Sequence, residues 1–123
     1  MKRACALELV RQGYWVYPEP LWPPCRRLWW ASYRPDLLGV RSSSSRQDYA
    51  FVECETNPST RRLLAKNYLS VELQDQLDVP CSLRRVLAIP RGTLHRLEAS
   101  LRYSWETWIF GNGLLKIPLA GRS

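Results

Sequence analysis

Among the 123 residues histidine occurs once, as His95, and lysine three times. No stretch approaches the ~20 consecutive apolar residues that a membrane span needs. Charges interrupt every hydrophobic run, so a spanning helix is not expected. The start, Met1-Lys2-Arg3, is basic, yet Glu8 and Arg11 break any apolar signal region, and an intracellular protein is expected. Cys5, Cys25, Cys54 and Cys81 contain no C-x-x-C and no Cys/His cluster, which excludes a zinc knuckle. Buried thiols are expected; two disulfides would fit an intracellular protein only of hyperthermophilic origin. Gly111-x-Gly113 is too sparse for a phosphate-cradling loop. No Ser-His-Asp arrangement or cysteine nucleophile is indicated, and His95 reads as a solvated side chain.

What is present is arginine and a globular balance. Hydrophobic residues make up 46% and charged residues 24%, so a packed core is expected. The length suits one domain over 1–123 and leaves no room for a second. The net charge is +7, and 15 of the 18 basic residues are arginine, whose planar fork suits phosphate oxygens. That favours a polyanionic partner, although a basic pI alone does not require one.

Along the chain, residues 2–12 pattern as an amphipathic helix with Gly13 as its C-terminal cap, followed by a short strand at 14–17. Pro18, Pro20, Pro23 and Pro24 make 18–25 irregular, with Arg26, Arg27, Trp29 and Trp30 just beyond. Strands are predicted at 35–41 and 49–56, joined as a hairpin through the polar run 42–48. Asn57 as cap and Pro58 at the first position open a helix to about Leu77. A buried strand at 82–89, a helix from Thr93 to about Arg102, a strand at 104–110 and a tail at 114–119 complete an α-β-β-β-α-β-α-β order. The class is α/β, a mixed central sheet flanked by helices.

Side chains alternate across a strand, so Glu53 and Glu55 share one face with Phe51. Two like charges in so apolar a strand are costly unless a cation neutralises them. Asp36, at the start of the neighbouring strand, is placed to supply a third oxygen. Hard carboxylate oxygens select Mg²⁺ or Mn²⁺. The alternative is an exposed sheet face on which both glutamates pair with arginine.

Pro35-Asp36, a gap of 16 residues, then Glu53-x-Glu55 in a hydrophobic strand followed by a helix resembles the PD-(D/E)xK nuclease superfamily. That restriction-endonuclease-like fold has an αβββαβ core and includes archaeal Holliday junction resolvases; the resemblance covers roughly residues 4–90. It implies a divalent-metal-dependent endonuclease acting on DNA, and a homodimer. The motif departs from the family at Glu55, which stands where its lysine would. The resemblance then moves the lysine to Lys66 on the following helix, with Arg61 and Arg62 as substitutes, and gives Glu8 on the first helix a share of the metal site. Glu8 also reads as an ordinary partner of Arg11.

The implied chemistry is a metal at Asp36, Glu53 and Glu55 that acidifies water and polarises the scissile phosphate, with Lys66 steadying the developing charge. Arg26, Arg27, Arg34, Arg41 and Arg46 are expected to contact phosphates. Trp29 or Trp30 is a candidate to stack on bases, against the ordinary use of Trp in cores. The other class of reading is a noncatalytic nucleic-acid-binding protein that kept the fold, for which Glu55 speaks. A third is a structural or regulatory protein with a solvated acidic strand and no metal.

Overall fold

The computed structural model describes residues 1–18, 35–42, 46–66 and 81–120. The first helix, α1, spans Lys2–Arg11 and buries Cys5, Glu8 and Leu9, the three-and-four spacing of one helical face. Its end is a Schellman motif. Gly13 sits at φ +92, its N–H donates to the carbonyl of Val10, and the N–H of Tyr14 donates to that of Leu9. The chain thereby reverses straight into the sheet.

Six strands follow: β1 Trp15–Pro18, β2 Leu37–Ser42, β3 Gln47–Cys54, β4 Cys81–Pro90, β5 Glu106–Phe110 and β6 Leu114–Ile117. They lie side by side in sequence order. The pairs β1/β2, β2/β3 and β5/β6 are antiparallel, while β3/β4 and β4/β5 are parallel. A parallel neighbour needs a crossover. Between β3 and β4 a second helix, α2, starts at Thr60 and is described to Lys66; its remainder falls outside the described residues.

The central strands are covered on both faces, which is why Tyr49 to Glu53 and Val86 to Ile89 are continuously buried. Under α1, the alternate residues Ala50, Val52, Val86, Ala88 and Trp108 pack with Cys5, Leu9, Tyr14 and Leu37. On the α2 face Leu87 and Ile89 pack with Leu63, Leu101 and Trp105. Gly39 in β2 lets Tyr14 lie against the strand: a Cβ there would sit 3.0 Å from the Tyr14 ring. Alternation then assigns Phe51 and Glu53 to the α2 face and Cys54 to the α1 face.

The structure corrects several boundaries. The helix expected at 93–102 is two 3₁₀ segments, Leu94–Arg96 and Ala99–Tyr103, separated by Leu97 in extended conformation. Thr93 stands at the N-cap position of the first segment but makes no side-chain capping bond; its hydroxyl donates to the Pro90 carbonyl. The tail beyond Gly113 is strand β6, which makes Gly111 to Gly113 a hairpin turn and gives β5 its antiparallel partner. Helix α2 starts later than Asn57, and Ser59 Oγ accepts the Arg62 N–H at its first turn. Strand β2 begins at Leu37, leaving Asp36 just outside it, and β3 ends at Cys54.

Candidate functional site

The end of β3 carries a buried acidic pair. Glu53 is only 1% exposed and stands in register with Leu87 of β4. The Glu55 N–H donates to the Ala88 carbonyl, so the β3/β4 pairing extends past Cys54 and holds the second carboxylate beside the first. Desolvated anions in such surroundings require a counter-charge.

Helix α2 supplies it. Lys66 Nζ lies 2.6 Å from Glu53 Oε2 and 3.1 Å from Glu55 Oε1, donating to both. One turn earlier on the same face, Arg62 Nη2 approaches Glu55 Oε2 at 3.5 Å and donates to the Asn57 carbonyl. Burial acts against the Lys66 ammonium, but the hydrogen bonds and charges of Glu53 and Glu55 outweigh it and raise its pKa above the ordinary lysine value. The ammonium is therefore held charged across the physiological range.

Asp36 adjoins the pair. The last β2/β3 partners are Leu37 and Val52, and Asp36 sits at the bend just before β2, near the end of β3. Its Oδ2 accepts the Cys54 N–H at 2.8 Å, fixing the carboxylate at the end of the strand. Asp36, Glu53, Glu55 and Lys66, far apart in sequence, are thus gathered at one end of β3. Among the described residues, no three histidine, cysteine or acidic side chains converge closely enough to hold a metal ion as they stand. The cation that Glu53 and Glu55 hold is Lys66.

Glu8 is not brought to this group. It accepts from Arg11 Nη2 at 2.7 Å, from Gln12 Nε2 at 3.2 Å and from Lys116. The Lys116 ammonium in turn lies over Trp108, in the core under α1, so Glu8 belongs to the opposite face of the sheet from Glu53. The Arg11 hydrogen bond, with Lys116 and Gln12 added, lowers its pKa to about 2 despite burial. The pairing with Arg11 accounts for this residue better than a shared metal site.

Of the arginines expected on phosphate, Arg26, Arg27 and Arg34 lie outside the described residues, as do Trp29 and Trp30. Arg41 is committed internally: its guanidinium stacks 4.5 Å from the Tyr14 ring centre and donates to the Gln12 carbonyl and Asp48. Arg46 pairs with Asp48 at 3.5 Å. Asp48 lies at the far end of β3, five positions or roughly 17 Å of strand from Glu53, so neither arginine borders the carboxylates. Arg61 is exposed on α2 beside the site. His95 is exposed on the first 3₁₀ segment.

Two residues near the site were not singled out by sequence. Arg96 donates to Asn57 Oδ1 at 2.7 Å, and Glu98 N–H donates to Thr60 Oγ1 at 3.1 Å, tying the β4–β5 connection to the start of α2. No local signal marks contacts across 39 and 38 positions. Arg62 thus stands beside the acidic pair, and Arg96 is held at Asn57 just before α2.

No described helix is long and apolar enough to cross a membrane. Compared with family models, with curated proteins and with solved structures, the chain has no significant match to any of them.

Proposed function

We propose that the protein is a divalent-metal-dependent nuclease of restriction-endonuclease-like fold that hydrolyses phosphodiester bonds in DNA. The observation that carries this reading is Lys66, which reaches Glu53 and Glu55 from the helix after their strand, while Asp36 is held by the N–H of Cys54 between them. A buried pair of hard oxygen ligands that already holds a cation, with a third carboxylate adjoining, has the donor chemistry for Mg²⁺ or Mn²⁺. Asp36, Glu53 and Glu55 would hold it. When bound, such an ion supplies Lewis acidity toward the scissile phosphate and the attacking water.

The chain's own residues divide the remaining work. Lys66 has a charge that its partners keep from titrating, and as a compact ammonium it orients a water or offsets charge developing on phosphate oxygens. Burial of Glu53 excludes bulk water and strengthens these interactions. Arg61, Arg62 and Arg96 neutralise the approaching phosphate backbone. A homodimer would present two such sites to one duplex or junction.

A second reading has its own observation. Lys66 and Arg62 supply Glu53 and Glu55 with two positive charges from within the chain. On that reading the cluster is structural and the protein binds nucleic acid without cutting it.

The deciding experiment is a cleavage panel of junction, flap, duplex and single-stranded DNA with Mg²⁺, Mn²⁺ and EDTA, run with wild-type protein and Glu53→Gln. Metal-dependent cleavage lost in Glu53→Gln supports the nuclease. Binding without cleavage under every condition selects the second reading.

A further inference from the structure

We propose that Cys5 and Cys54 form a reversible intramolecular disulfide that locks α1 onto β3 directly behind the carboxylate pair. Alternation along β3 turns Glu53 toward α2 and the next residue, Cys54, toward α1. There its Sγ lies 3.8 Å from Sγ of Cys5, the two sulfurs meeting across the core under α1. A disulfide bond is ~2.05 Å long, so closure asks the sulfurs to approach by about 1.8 Å.

The two thiols differ in access: Cys5 is fully buried and Cys54 is half-buried. Exchange therefore starts at Cys54, with a low-molecular-weight disulfide of the glutathione type as oxidant. There one sulfur of the oxidant bonds to Cys54 Sγ, the oxidant's S–S bond breaks, and its other sulfur leaves as a thiol with the Cys54 proton, giving a mixed disulfide. Cys5 then loses its proton and attacks Cys54 Sγ, expelling the oxidant's remaining sulfur as a thiolate. Both cysteines are oxidised by one electron each, and one external disulfide is reduced to two thiols.

The bridge would close a loop of 49 positions. Restricting the unfolded chain to that extent raises the melting temperature by about 10 °C. The inference does not rest on nuclease activity, because the sulfur contact under α1 carries it.

The test equilibrates the full-length chain, and a Cys25→Ser/Cys81→Ser variant, across ratios of oxidised to reduced glutathione. Samples are then alkylated, digested and mapped by mass spectrometry, with melting curves in parallel. Expected are a linked Cys5–Cys54 peptide, loss of both thiols from the double variant and the rise in melting temperature. Dithiothreitol should reverse all three, and Cys5→Ser or Cys54→Ser should prevent the rise. The proposal is overturned if both thiols stay alkylatable after oxidation, if glutathione remains on Cys54, or if either cysteine pairs with Cys25 or Cys81. Should the double variant not fold, the wild-type peptide map decides alone.

Discussion

Lys66 Nζ lies 2.6 Å from Glu53 Oε2, joining residues 13 positions apart on adjoining elements. The contact pins the first turns of α2 to the end of β3. It also makes one ammonium the partner of two carboxylates, since Glu55 shares it. Any cation that binds the pair must displace Lys66 or sit beside it.

Removing Lys66 therefore separates the two functional readings. Lys66→Ala takes from buried Glu53 and Glu55 the ammonium that they share, which should cost about 2 kcal/mol by urea unfolding, below the range for a fully buried pair because the Lys66 side chain retains 31% exposure. If the pair is a metal site, Mn²⁺ should restore much of that loss and raise the variant's melting temperature more than wild type's. Any cleavage rate should fall by about 10²-fold or more. A variant that Mn²⁺ does not stabilise argues for the structural cluster. Lys66→Arg should recover little activity, since a planar guanidinium does not reproduce a point charge.

The same pair shows what sequence makes legible. Alternation in Tyr49 to Glu55 and the helix after it are local patterns, and they suffice to bring Glu53, Glu55 and Lys66 together. The hairpin reading also brings Asp36 to the end of β3, where it accepts the Cys54 N–H. Glu8 fails the same logic because its second cation, Lys116, is 108 positions away on a strand that reads as a tail. Strand β6 has only Leu114 to Ile117 and gains its identity from pairing with β5. The segment after Thr93 has leucines at spacing compatible with a helix, but Leu97 in extended conformation interrupts it.

Glu8 predicts a pH dependence with a definite sign. Its folded pKa, about 2, lies below the ordinary value of 4.5. Its contribution is therefore present above the unfolded pKa and is lost as pH falls from about 4.5 toward 2. Because Arg11 and Lys116 are solvent-screened, the loss should be on the order of 1 kcal/mol. Urea midpoints from pH 6 to pH 3 should fall less steeply in Glu8→Gln than in wild type. Parallel profiles would show that Glu8 is not what the acid limb reports. Metal-dependent cleavage, if present, should survive this substitution.

Gly39 gives a packing test free of any assumption about function. An added methyl would meet Tyr14 ring carbons at 3.0 and 3.2 Å and the Ala50 methyl at 3.3 Å. The Ala50 methyl on one side and a ring held by Arg41 on the other leave little room to yield. Gly39→Ala should cost about 1–3 kcal/mol in urea unfolding. A variant as stable as wild type would mean that Tyr14 can leave β2 freely.

The arginines predict opposite outcomes according to where their charge is engaged. Arg41 is held by Tyr14, the Gln12 carbonyl and Asp48, so Arg41→Ala should lower stability while leaving the salt dependence of DNA affinity unchanged. Replacing Arg61 and Arg62 together removes charge from the first turn of α2, beside the carboxylates. If both touch phosphate, the slope of log affinity against log salt should flatten by about 1–2 units. Arg62 also pairs with Glu55, so the double variant needs Arg61→Ala alone as its control, with a slope change of about half that size. Arg26→Ala/Arg27→Ala measures the same quantity for the proline-rich connection. A slope insensitive to Arg61 and Arg62 but flattened by Arg26 and Arg27 would move the nucleic-acid face from the α2 end of the sheet to that connection, and with it the expected path of the scissile strand.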